Sequence, residues 1–203
     1  MAFQTIWYYS DIPEEIISII ERDLSVNYDS DMSDSYLHGG AINKEKRNSK
    51  NTWVPSEHWI GGFMWHYISR ANRENFLYDL RCIDGESMQY TQYGPGEFYG
   101  WHNDAGISGA YKPQSHNNER QNDFVNENSE LVRKLSFVLQ LSHPDDYEGG
   151  NLQLMGESGK SYFAPRKRGT VILFDSRTQH RVLRVKSGLR KSIVGWTVGP
   201  RWR

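Results

Sequence analysis

Apolar and polar positions give the chain two textures: helical spacing up to about residue 76, and short alternating runs from Leu77 onward. In SDIPEEIISIIERDL, Asp11 stands as a capping carboxylate, Pro13 falls in the first turn and Glu14 reaches back. Ile16, Ile20 and Leu24 share one face, which predicts an amphipathic helix. Residues 26 to 52 are polar, rich in Ser, Asn and Asp, and read as a long connection with room for short strands. A second helix is predicted in PSEHWIGGFMWHYISRANRENF with Ser56 as its N-cap. There Ile60, Phe63, Met64, Tyr67, Ile68 and Ala71 follow the i, i+3, i+4, i+7 rule, and His58 and His66 read as surface or packing residues.

Eight segments then read as strands: DLRCID, SMQYTQY, EFYGWHND, LSFVLQLS, GGNLQLM, TVILFD, HRVLRV and KSIVGWTV. Turn signals separate them, among them Asp84-Gly85, Gly94-Pro95-Gly96 and Gly149-Gly150. About eight strands after two helices predict a mainly β two-sheet sandwich or barrel with the helices packed on one sheet. One domain over residues 1–203 is expected, with a helical support region 1–76 and a β core 77–203. Residues 105–133 break the rhythm. They are Asn-rich and without a period, and a structureless loop of that length is functional or disordered. Directly following the candidate site at 102–104, this segment is expected to form a mobile lid, with His116 solvated.

Composition narrows the class. The chain has 203 residues, 37% of them hydrophobic, and a mean hydropathy of -0.75. No apolar run approaches the roughly 18 residues a membrane span needs. The start, MAFQTIWYYSDIPEE, lacks the basic and apolar regions of a secretory signal, so a soluble cytoplasmic protein is expected. The single cysteine, Cys82, excludes an internal disulfide and a CxxC zinc site, and reads as a small buried apolar residue. Net charge is -1 but uneven: residues 160–203 hold 12 Lys and Arg against one acid, and residues 1–159 hold 12 against 24. The basic stretch is either a surface balanced by acidic neighbours in the fold or a site for an anionic ligand.

YGWHNDAG places His102 and Asp104 two apart, and alternation along a strand would aim both at one ion. His180, at the start of a distant strand, is the best third ligand. Two histidines and one carboxylate form the facial triad of non-haem Fe(II) oxygenases, although zinc hydrolases use the same set. Arg190, ten residues beyond His180, shares a strand face with Ser192, Val194 and Trp196. A buried guanidinium needs an anionic partner, and its planar fork suits a carboxylate.

Tyr93, Gly96, Tyr99, His102 and Asp104 spell YxxGxxYxxHxD. This resembles the signature of the prolyl 4-hydroxylase-like group of Fe(II)- and 2-oxoglutarate-dependent dioxygenases. LSFVLQLSHPDDYEGGNLQL is similar to the family's central strands. KRGTVILFDSRTQHRVLRVKSGLRKSIVGW is similar to its strand pair bearing the distal histidine, the basic residue ten later and a tryptophan six after that. The resemblance covers about residues 88 to 197. Arginine at 190, where collagen-type enzymes commonly have lysine, and the LSHPDDYEGG turn bring it closest to the oxygen-sensor-like and bacterial PKHD-type branches.

The resemblance implies a double-stranded β-helix, a jelly-roll or cupin-like core. It implies that His102, Asp104 and His180 bind iron, that Arg190 binds the distal carboxylate of 2-oxoglutarate, and that Tyr93 contacts the cosubstrate, with Tyr99 and Trp196 shaping the pocket. The implied cofactors are Fe(2+), 2-oxoglutarate and O2, with ascorbate as reductant. The implied reaction is hydroxylation of a prolyl residue in a peptide or protein, with succinate and CO2 as co-products. The same chemistry on a nucleobase or small metabolite is the alternative, and a non-catalytic metal-binding jelly roll is a third. No residue is needed as acid, base or nucleophile, in keeping with serines, Ser136 and Ser142 among them, that have no hydrolytic motif around them.

Overall fold

The alternating segments pair into two facing sheets, and the helices cover the outer side of the larger one. The computed structural model describes residues 4–35, 43–105, 131–156 and 158–202. The first part of the chain runs β1 (Ile6–Tyr9), α1 (Glu14–Tyr28), β2 (Ser33–Asp34), β3 (Arg47–Asn48), β4 (Lys50–Pro55) and α2 (Trp59–Ala71). It continues through β5 (Cys82–Ile83), β6 (Ser87–Tyr93), β7 (Phe98–His102), β8 (Leu131–Gln140), β9 (Tyr147–Gly149) and β10 (Leu152–Met155). It ends with β11 (Ser161–Phe163), β12 (Val171–Asp175), β13 (His180–Val182), β14 (Val185–Gly188) and β15 (Arg190–Pro200).

Among the described residues the larger sheet has eight strands, ordered β1-β12-β8-β15-β6-β4-β2 with β5 also on β15. The smaller has five, ordered β11-β10-β13-β7-β3, and β9 pairs with β14 as a separate ribbon. The period of two in LSFVLQL sorts β8 between two cores. Leu135, Phe137 and Leu139 face the helices, where they meet Ile17, Ile20 and Leu24 of α1 and Ile60, Met64 and Ile68 of α2. Val138 faces the other way, into the space between the sheets, with Ile172 and Phe174 of β12 and Leu152, Leu154 and Val182 opposite. Each fully buried side chain of this size contributes about 1.5–3 kcal/mol.

Several expectations are corrected by the structure. Neither predicted cap closes its helix. Pro13 precedes α1 without a side-chain cap bond, because Glu14 is drawn to Arg168 (2.6 Å) and Asp11 lies exposed beside Lys167 (3.6 Å). At α2 the cap is His58, whose Nδ1 accepts from the Ile60 N–H at 3.4 Å, because Pro55–His58 is already a turn. The first 76 residues are also more than helical support: β1 zips onto β12 and β4 onto β6 at opposite sides of the larger sheet. DLRCID yields only two strand residues, and HRVLRV breaks into β13 and β14. Leu131–Arg133, assigned by sequence to the polar segment, begin β8, whereas residues 106–130, with the expected lid and His116, lie outside the described residues. Among the described residues no helix is long and apolar enough to cross a membrane.

Gly195 shows how closely the strands and helices pack. It lies opposite Phe137, and a Cβ there would stand 2.3 Å from the Phe137 Cζ. Gly195→Ala is therefore expected to cost about 1–3 kcal/mol through overpacking, read as a lowered midpoint in chemical denaturation with an unchanged slope.

Lys167, Arg168 and Lys191 of the basic C-terminal stretch are answered by acids from the start of the chain. Arg168 donates to Glu14 and, at 2.5 Å, to Glu21, as well as to the Leu141 carbonyl, and Lys191 lies 3.2 Å from Glu21. Burial would raise the Glu21 carboxyl, but hydrogen bonds from Arg168 and Lys191 outweigh it and hold the group below its ordinary value. A carboxylate depressed in the folded state stabilises fully above the ordinary range, near pH 4, and loses that contribution as pH falls through the folded value. Thermal stability is therefore expected to fall on acidification below about pH 4, and Glu21→Gln to flatten that fall; an identical acid limb in the variant would show that Glu21 plays no part.

Candidate metal centre

β13 and β7 are neighbours, with His180 opposite His102 and Val182 opposite Tyr99. Two steps on β13 thus match three on β7. This bulge puts Tyr99 and His102, which regular alternation would send to opposite faces, on the same inward face. Their rings stack at 3.5 Å between centroids and 15° between planes. On β3, opposite Tyr99, Arg47 lays its guanidinium 4.8 Å from the centre of the phenol, and hydrogen bonds to Ser49 and Gln89 fix it there.

Asp104 joins His102 for a reason other than the predicted alternation. β7 stops at His102, and the Asp104 and Ala105 N–H groups both donate to the Ser176 carbonyl (2.8 and 3.0 Å), bending the chain toward the turn after β12. The same turn aims the third residue, since His180 Nδ1 lies 2.9 Å from the Thr178 carbonyl. His102 Nδ1 lies 2.8 Å from the Gly100 carbonyl. Each carbonyl accepts from an Nδ1 N–H, so both Nε2 atoms face the site. His102 Nε2 is 3.7 Å from Asp104 Oδ1 and His180 Nε2 is 3.3 Å from Asp104 Oδ2, and one ligand atom from each residue lies within 4.8 Å of the others.

The protonation states suit metal binding. Burial pushes the His102 imidazole down to about 4, with His180 adding to the effect and Asp104 opposing it, so it is neutral at pH 7. Burial would raise Asp104, but His180, His102 and the Ser136 hydroxyl outweigh it and keep the carboxylate ionised. Burial raises the Tyr99 phenol to about 12, so it stays neutral and offers no competing anion.

Farther along the space between the sheets lies Arg190, 1% exposed. Its Nη2 donates to Gln140 Oε1 at 3.0 Å and its Nη1 lies 3.4 Å from Ser192 Oγ, while its buried Nε has no partner among the described residues. These partners are neutral. Tyr93 stands opposite on β6 with its ring centre 5.5 Å from the guanidinium, and the buried Thr91 hydroxyl, opposite Ser192, is likewise without a hydrogen-bond partner. Gly150, at φ +61°, leaves the room: a Cβ there would stand 3.1 Å from Arg190 Cδ and 2.9 Å from Val185. Trp196 lies opposite Ser136, its buried indole N–H acting on Asp104 without closing a hydrogen bond.

Residues 88–198 match the family described as the 2OG-Fe(II) oxygenase superfamily. The chain belongs to that superfamily. A PKHD-type hydroxylase of Picosynechococcus sp. is 35% identical over 132 residues, 64% of this chain and 50% of the relative. One of Synechococcus sp. is 34% identical over 188 residues, 90% of this chain and 75% of the relative. The chain thus spans about half the length of the first of these relatives. A prolyl hydroxylase from Trichoplax adhaerens, solved in complex with a hypoxia inducible factor oxygen degradation domain peptide fragment, superposes with a TM-score of 0.71 at 17% identity, covering 95% of this chain and 83% of that one. That likeness shows the fold: helices on a jelly-roll core, as expected from sequence.

Fe(II) and 2-oxoglutarate, the superfamily's metal and cosubstrate, fit what this superfamily member presents. Two imidazole nitrogens and one carboxylate oxygen are a donor set for Fe(II) that leaves positions open. Among the described residues, a buried guanidinium with a free Nε and neutral partners lacks the anion its burial calls for, and a carboxylate would supply it. Three contributors escaped the sequence reading. Ser136 and Gln140 carried a signal, since alternation in LSFVLQL puts both on one face with Val138. Arg47, inside a polar connection, carried none.

Proposed function

We propose that the chain is an Fe(II)- and 2-oxoglutarate-dependent hydroxylase acting on a proline-containing peptide or protein segment. The observation that carries this reading is Arg190, a buried cation with neutral partners, in the same inter-sheet space as the His102, Asp104 and His180 donors. In this reading those three side chains hold the iron. Arg190, supported by Gln140, holds the distal carboxylate of 2-oxoglutarate, with Tyr93 beside it and Tyr99 and Trp196 shaping the walls. When bound, Fe(II) with 2-oxoglutarate and O2 supplies the chemistry that converts C–H to C–OH and releases succinate and CO2.

The chain's own groups do the rest. The Gly100 and Thr178 carbonyls fix the imidazole orientations, so each Nε2 is the atom left to bind metal. Arg190 fixes one end of the cosubstrate and thereby the direction of the other. Val138, Ile172, Phe174 and Leu154 keep the surrounding space dry. The proline-containing substrate is supported by the names of the fold relatives, one of them solved with a peptide. Part of the basic C-terminal stretch that spoke for a nucleobase is taken up by pairs such as Arg168 with Glu21 and Lys186 with Glu148.

The test is to load the protein anaerobically with Fe(II) and 2-oxoglutarate, admit oxygen, and offer panels of proline-containing peptides, oligonucleotides and small metabolites. Succinate formation coupled to the mass of one added oxygen on a prolyl residue is expected. Oxygen added only to a nucleobase or a metabolite would overturn the assigned substrate.

A further inference from the structure

Asp104 presents both carboxylate oxygens to the space shared with the histidines: Oδ1 lies 3.7 Å from His102 Nε2 and Oδ2 lies 3.3 Å from His180 Nε2. Nothing in that arrangement alone stops both oxygens from binding one ion. The restraint comes from the facing sheet. Ser136 Oγ donates to Asp104 Oδ2 at 2.6 Å, the shorter of its two contacts, and lies 3.1 Å from the Ser176 hydroxyl. Ser136 is 1% exposed and Ser176 is fully buried, so bulk solvent does not reach these bonds. Ser176 also takes the Asp104 and Ala105 N–H groups on its carbonyl, so one turn fixes the main chain of Asp104 and, through Ser136, its carboxylate.

We propose that Ser136 is a positioning residue that restricts Asp104 to a single metal-binding oxygen. This rests on the function proposed above. An ion held by His102, His180 and one oxygen of Asp104 would have one more position for cosubstrate and oxygen than an ion held by both oxygens of Asp104. The hydroxyl therefore keeps open the position that oxygen requires, acting through Asp104 and not through the cosubstrate.

The experiment compares the parent with Ser136→Ala and Ser136→Thr, each carrying carbon-13-labelled aspartate, in infrared difference spectra between Mn(II)-loaded and metal-free protein. A carboxylate bound through one oxygen shows a wide splitting between its antisymmetric and symmetric stretches, and one bound through both shows a narrow splitting. A wide splitting is expected in the parent and Ser136→Thr, and a narrow one in Ser136→Ala. The KM for oxygen should rise about tenfold in Ser136→Ala, the low end for loss of a group behind a metal ligand, with the KM for 2-oxoglutarate unchanged. A wide splitting in a folded, metal-binding Ser136→Ala overturns the proposal. If that variant does not fold, Ser136→Val against Ser136→Thr asks the same question at matched shape, and a wide splitting in both overturns it. A parent that binds no Mn(II) would instead overturn the functional reading on which the proposal rests.

Discussion

Asp104→Ala is expected to abolish metal binding while leaving a folded protein. Asp104 is the one carboxylate donor of the set; without it two imidazoles remain, on two strands and with no third ligand among the described residues. Its burial is itself unfavourable, offset by Ser136 and the histidines, so removing it also removes a desolvated charge. The measurement is a thermal shift with Mn(II) under anaerobic conditions. In the parent, metal at about a hundred times its Kd stabilises by about 2.7 kcal/mol. For a chain of this length that raises Tm by roughly 5–10 °C. Asp104→Ala should show no metal-dependent shift, and a shift of parental size would mean that the metal sits elsewhere.

Arg190→Met separates stability from binding. The guanidinium is 1% exposed, and its partners Gln140 and Ser192 are neutral, so among the described residues it is a buried charge without a counter-ion. Replacing such a charge by an apolar side chain of similar length is often neutral or stabilising. The ligand-free variant should therefore melt no lower than the parent. Binding of 2-oxoglutarate to the metal-loaded protein should instead weaken by about 3–4 kcal/mol, two to three orders of magnitude, because the cosubstrate's far carboxylate loses a charge-assisted fork. Arg190→Lys should fall between, keeping the charge but not the planar geometry. Calorimetric titration of Mn(II)-loaded protein with 2-oxoglutarate reads this directly. Loss of metal in Arg190→Met, or undiminished 2-oxoglutarate binding, would show that Arg190 has another role.

Much of this site was legible because its chemistry is carried by residue types that are rare at such spacing. His102, Asp104, His180 and Arg190 stand out in a sequence, and the tyrosines upstream of His102 tie them to a known pattern. What escaped was whatever depends on irregular backbone. Tyr99 and His102 share a face only because β7 bulges, and Asp104 approaches only because the Ser176 carbonyl captures its N–H; neither leaves a periodic trace. The helix caps at Asp11 and Ser56 failed because a tertiary partner and a preceding turn outweighed local capping chemistry. Strands β1 to β4 are too short or too polar for alternation to show, so the early part of the chain read as support although β3 delivers Arg47 to the back of Tyr99. The charge asymmetry was visible, but its resolution in pairs such as Arg168 with Glu21, far apart in sequence, was not.

The most direct measurement is succinate released from 2-oxoglutarate by the folded, metal-loaded chain when oxygen is admitted. Succinate should form only with Fe(II), increase when a proline-containing peptide is added, and vanish on chelation and in Asp104→Ala. A folded protein that binds Fe(II) and 2-oxoglutarate yet forms no iron-dependent succinate, with peptides, oligonucleotides and small metabolites all supplied, would contradict the assignment of this site to oxidative decarboxylation.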